Sequence, residues 1–152
     1  MKKLTVALAV SLWVMGTAIG FASPHMGTWK LDEAKSDIAK GAAKNTVVTY
    51  TQEGDNWKIT TEGTHDGKPL KTTWVGKIDG QPHAIEGSPL YDHIAYTKKD
   101  ERTNELKATK DGKVVGTGSI VVAADGKSRV VTVTSTGEDG KKVTSKSVYN
   151  KE

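Results

Sequence analysis

Gly27-Thr28-Trp29-Lys30-Leu31 alternates small or apolar residues with polar ones, so a strand through it carries Gly27, Trp29 and Leu31 on one face and Thr28 and Lys30 on the other. This is a half-buried strand with one large anchor. Beyond residue 22 the chain holds three Trp and no Phe, so a buried Trp29 carries an unusual share of the core. The segment reads as the seam of a single β-barrel.

What precedes this strand reads as a leader. Met1-Lys2-Lys3 is a short positive region, Leu4 to Phe21 is apolar, and Gly20-Phe21-Ala22 places small residues at the two positions a signal peptidase reads. Residues 1–22 are therefore expected to be a cleaved signal peptide and residues 23–152 the functional domain, periplasmic or secreted. A membrane anchor is the second reading, because the run is almost long enough to span a bilayer. Gly16, Thr17 and Gly20 within it and its cleavable end weigh against that, and no stable membrane insertion is expected after cleavage.

The chain has no Cys, which excludes disulfides, thiolate metal sites and a lipidated N-terminus. The formal charge of +4 falls to +2 once Lys2 and Lys3 leave, and the remaining charges are scattered. Such a surface reads as a solvated face, with no basic stripe to engage nucleic acid.

After the Trp29 strand, Asp32 to Gly41 fits one or two helical turns, with Asp32 as N-cap and Gly41 as left-handed C-terminal residue. Everything beyond Lys44 reads as strands: 45–53, 56–64, 69–78, 91–98, 103–110, 113–123, 128–136 and 141–150, with a further short one at 82–86. Gly54-Asp55 and then Asp-Gly at 66–67, 79–80, 111–112, 125–126 and 139–140 punctuate them. Asp-Gly is a strong hairpin signal because a type I′ turn needs positive φ at both central residues. Sequential hairpins without a crossover helix predict an all-β, antiparallel up-and-down barrel of about eight to ten strands.

The predicted inner faces are light. Val114-Gly116-Gly118-Ile120 and Val143-Ser145-Ser147-Tyr149 lack bulk, and seventeen Thr and eight Ser follow residue 22. Small barrels either fill their middle or hold one small ligand; the shortage of bulky residues favours a cavity, which Gly116 and Gly118 would widen.

Gly27-Thr28-Trp29-Lys30-Leu31 resembles the opening strand of the calycin superfamily, in which lipocalins and fatty-acid-binding proteins begin with Gly-x-Trp. Gly54-Asp55-Asn56-Trp57-Lys58-Ile59 is similar to the second hairpin of the fatty-acid-binding proteins, Val148-Tyr149-Asn150-Lys151 resembles their last strand, and Asp111 through Tyr149 is similar to small secreted bacterial lipocalin-like proteins. The resemblance implies a barrel closed at its base by Gly27 and Trp29 that binds a small apolar or amphipathic molecule. Ser147 stands where the fatty-acid-binding proteins carry the Arg that pairs with a Tyr two residues on, so the charge-assisted partner of Tyr149 is missing at that position.

On this reading Trp57, Trp74, Tyr96 and Tyr149 line the ligand site, with Tyr91 and Tyr96 near the rim. His25, His65, His83 and His93 match no ligand spacing and read as surface histidines; no metal or other cofactor is expected. No Ser sits in a nucleophile elbow and no Gly-rich loop opens a helix, so an enzyme is not expected. The longest irregular piece is 79–91, a corner connection or a functional loop. The alternative is a cavity-free envelope module that acts through its loops.

Overall fold

The computed structural model describes residues 22–137 and 139–152. The leader read at 1–22 lies, apart from Ala22, outside the described residues. Ten strands follow one another: β1 (Gly27–Leu31), β2 (Lys44–Glu53), β3 (Asn56–His65), β4 (Lys68–Gly76), β5 (Asp79–Glu86), β6 (His93–Asp100), β7 (Thr103–Lys110), β8 (Lys113–Val122), β9 (Ser128–Thr136) and β10 (Lys142–Lys151). Each pairs antiparallel with its neighbours in sequence, and β10 returns to β1, so the sheet is a closed up-and-down barrel. Closure leaves no sheet edge to template aggregation.

The seam is built around the anchor. Trp29 stands opposite Lys151 of β10 on one side and Val48 of β2 on the other. β1 has only five residues against ten in each neighbour, and the chain after it carries the pairing onward. Asp32 N–H donates to Val148 O at 2.8 Å, Asp37 and Lys146 exchange backbone bonds of 2.7 and 2.8 Å, and Ala39 N–H donates to Ser145 Oγ at 2.9 Å. This explains why the expected helix shrinks to one 3-10 turn, Glu33–Lys35, without a side-chain cap from Asp32. A free-standing turn makes few bonds, whereas β10 offers partners to residues 36–39.

Asp66-Gly67 and Asp111-Gly112 adopt positive φ at both residues, as type I′ turns require (50° and 75°, 51° and 77°). Asp79-Gly80 does not make a turn. It opens β5, where Gly80 at φ 78° sits in a register shift between Asp79 and Pro82, and the corner lies one step earlier at Lys77-Ile78. The piece read as irregular from 79 to 91 is therefore mostly strand, with 87–91 outside it. β4 and β5 share just two register pairs, Thr73 with Glu86 and Trp74 with Ile85. Beyond them the His83 ring occupies the space beside Gly76, where a Cβ would stand 2.6 Å from its Cγ.

Alternation and register define the inner face: Trp29, Val48, Tyr50, Ile59, Trp74, Ile94, Tyr96, Ala108, Ile120, Val122 and Tyr149 form one buried cluster. One inner position differs from expectation. The ladder slips between Ala108 and Thr109, which places Val115 against the core and leaves Val114 53% exposed. A bulge inserts one residue and so exchanges the faces beyond it.

Trp29 is fully enclosed, so Trp29→Ala is expected to cost about 3–5 kcal/mol, read as a lower urea midpoint at unchanged slope.

Candidate ligand-binding site

The two ends of the barrel differ. At the end made by the start of β1, the end of β8 and the start of β9, Trp29, Val122, Asn104 and Arg129 are sealed from solvent. At the opposite end Ser135 and Ser145 are half-buried although they point inward, and inward Val143 is 36% exposed. That end, the mouth, is the more exposed of the two.

Arg129 organises the sealed end. It is 2% exposed, faces Tyr149 across the β9–β10 ladder, and places its guanidinium carbon 4.9, 4.9 and 4.8 Å from the ring centres of Trp29, Tyr50 and Tyr149. Cation–π attraction of about 0.5–2 kcal/mol per ring offsets part of the several kcal/mol needed to desolvate an ion. Its Nε and Nη1 have no hydrogen-bond partner among the described residues. Burial pushes the Tyr149 phenol up to about 12 against the pull of Arg129. Tyr149 thus stays neutral and its hydroxyl donates to Asn45 O at 2.9 Å.

The residues expected to line a ligand fall into two groups. Trp74 and Tyr96 pack edge to face, 4.8 Å apart, midway along the barrel, and the Trp74 indole donates to Ile94 O at 3.0 Å. Tyr96 is thus buried in the wall rather than set on the rim. Trp57 is half-buried at the sealed end, 6.1 Å from Tyr50, and Tyr149 is joined to the same end through Arg129. Trp29 and Gly27 sit at this end too; at Gly27 a Cβ would stand 2.9 Å from Lys151 Cε.

Arg129 escaped the sequence reading. Its signal is alternation: Arg129, Val131, Val133 and Ser135 share one face, so a cation falls on an apolar stripe. Ser147 does leave its own position without a charge, but the register brings Arg129 of the neighbouring strand to Tyr149 instead.

His25 corrects the expectation that all four histidines are surface residues. It is 1% exposed, its ring centre lies 5.9 Å from that of Trp57, and its carbonyl accepts the Trp29 indole N–H at 2.9 Å. The other three are more open. His83 and His93 lie on opposite faces of their strands, each beside one carboxylate, Asp79 at 3.2 Å and Asp92 at 2.8 Å. The Asp92 carboxyl is held low by the Asp111 backbone N–H first and His93 second.

Two concavities lie outside the barrel lumen. One, of about 460 Å³, rests on outward-facing Ala95, Thr97, Glu105, Lys107, Thr117 and Ser119, with Gly118 in its floor. The light strip of β8 thus backs onto a hollow on the outer wall, where the sequence suggested a wider interior. The other, of about 470 Å³, lies beside the mouth between His65–Leu70 and Gly87–Pro89. No protein-family model matches the chain, and no curated protein matches it.

Burial, then the nearby Arg129 charge, lower the His25 pKa from 6.5 to about 4. The unfolded chain takes up this proton near 6.5 and the folded one near 4, so the contribution is intact above 6.5, is lost as pH falls to 4, and then levels off. Urea titrations across that window are expected to show about 3 kcal/mol of loss, abolished in His25→Phe.

Proposed function

We propose that this is an exported, calycin-like carrier, periplasmic or secreted, that takes a small amphipathic molecule into its barrel with an acidic group at the sealed end. The observation that carries the reading is Arg129: a buried cation whose Nε and Nη1 have no acceptor among the described residues. An unpaired buried charge is strongly unfavourable, and a ligand's anionic group supplies what these nitrogens lack through a charge-assisted hydrogen bond.

The apolar part of such a ligand then runs toward the mouth, along Trp74 and Tyr96 on one wall and the half-buried small residues of β9 and β10 on the other. Trp57 and Tyr149 contact its head region, while Trp29 and Gly27 keep the base shut. The calycin resemblance of the first and last strands is consistent with this use of the lumen. It carries no residue assignment of its own, because Ser147 breaks the family's Arg-x-Tyr pattern.

A second reading, a filled barrel that serves as an envelope interaction module, draws on the buried aromatic cluster and on the outer hollow over β6 to β9. The two readings separate by experiment. Under the carrier reading, native mass spectrometry of protein recovered from its own envelope finds a bound small molecule. Tryptophan fluorescence then shows a long-chain acid binding about 10- to 100-fold more tightly than the matching alcohol, the range expected for one charged hydrogen bond. Arg129→Met removes that preference, and Arg129→Lys keeps part of it. An empty barrel with no response to either amphiphile, together with a stable protein partner in a pull-down, overturns the carrier reading in favour of the module.

A further inference from the structure

Ser23-Pro24-His25-Met26 lies across the base of the barrel, outside every strand. It is held by little. Met26 N–H donates to Ser23 O at 3.0 Å and His25 N–H to Ser23 Oγ at 3.3 Å, both within the segment. Two side-chain bonds tie it to the barrel: the Trp29 indole to His25 O at 2.9 Å and Lys151 Nζ to Pro24 O at 3.4 Å. A segment with so few hydrogen bonds belongs to the low-stability end of a protein's local openings.

Its side-chain anchors are Met26, partly buried against the core, and His25, the more deeply enclosed of the two, which is buried as an apolar object. Both ring nitrogens are sealed from solvent and, among the described residues, without a hydrogen-bond partner. A neutral imidazole tolerates this at moderate cost; an imidazolium does not.

The charged neighbours make the asymmetry larger. β9 contributes Arg129, β10 contributes Lys151, and β6 contributes Lys98 and Asp100, while β1 and β3 present the uncharged rings of Trp29 and Trp57. Lys98 is already engaged by Glu101 at 2.6 Å. With that pair set aside, Arg129 and Lys151 stand against Asp100 around the site where a proton would add a further positive charge.

We propose that Ser23–Met26 is an acid-released plug: protonation of His25 drives the segment out of the base and opens the sealed end of the barrel while the strands stay paired. Trp57 and the Trp29 indole N–H then meet water, and Arg129 becomes reachable from below. The release belongs to the protein alone and needs no ligand, so it stands or falls separately from the carrier reading.

The test is a pH titration of the isotope-labelled, exported protein followed by histidine NMR, acrylamide quenching of tryptophan fluorescence, and far-ultraviolet circular dichroism. The His25 resonance is expected to titrate near 4, well below the ordinary histidine value of 6.5. Tryptophan protection is expected to be lost over the same interval while the strand signal persists. His25→Phe and His25→Leu are expected to keep the tryptophans protected through that interval, and the second variant guards against a misfolded first. Titration of His25 at the ordinary value of 6.5, unchanged quenching across its midpoint, or the same loss of protection in both variants would each overturn the plug.

Discussion

A guanidinium enclosed by three aromatic rings is the constraint on which the rest of this barrel depends. Arg129 comes from β9, and the rings it touches come from β1, β2 and β10. One buried side chain therefore spans the junction between the first and last parts of the chain. The backbone pairing there is thin, with three register pairs between β1 and β10 and four between β1 and β2. Hydrophobic enclosure of Trp29 supplies the attraction, and the cation fixes how the rings are arranged. The same enclosure leaves two polar atoms unmatched, so the device that closes the barrel also creates its strongest demand for a ligand.

The seam shows how a short strand suffices. β1 ends at Leu31, yet the gap between β2 and β10 does not open, because the 32–39 segment continues along β10 through backbone and serine bonds. The weak contact between β4 and β5 lies elsewhere on the wall and is filled by His83 beside Gly76 and Trp74. Closure is thus a property of side chains at two places and of ladder bonds everywhere else.

Most of the fold was legible in the sequence because it rests on local signals. Period-two alternation located the strands, and Asp-Gly at 66–67 and 111–112 located type I′ turns. The misreadings have non-local causes. Asp79-Gly80 carries the same dipeptide, but the tertiary position puts Gly80 in a bulge. Asp32 to Gly41 has helical caps, but β10 outbids the helix for its backbone. The light inner face of β8 suggested a wider lumen, whereas concavity at that strip lies on the outer wall. Arg129 and His25 run against the rule that charge and polarity mark exposure: the register of β9 with β10 carries the cation inward, and the turn before β1 folds the imidazole onto Trp57 at the base.

Two-dimensional NMR in solution tests the central claim most directly, because the closing contact has its own signature. If the first and last strands pair around the enclosed cation, Trp29 shows cross-strand contacts to Lys151, and the Arg129 side-chain protons shift strongly upfield under the three rings. Unshifted Arg129 protons, with Trp29 giving contacts to β2 but none to β10, would contradict the account.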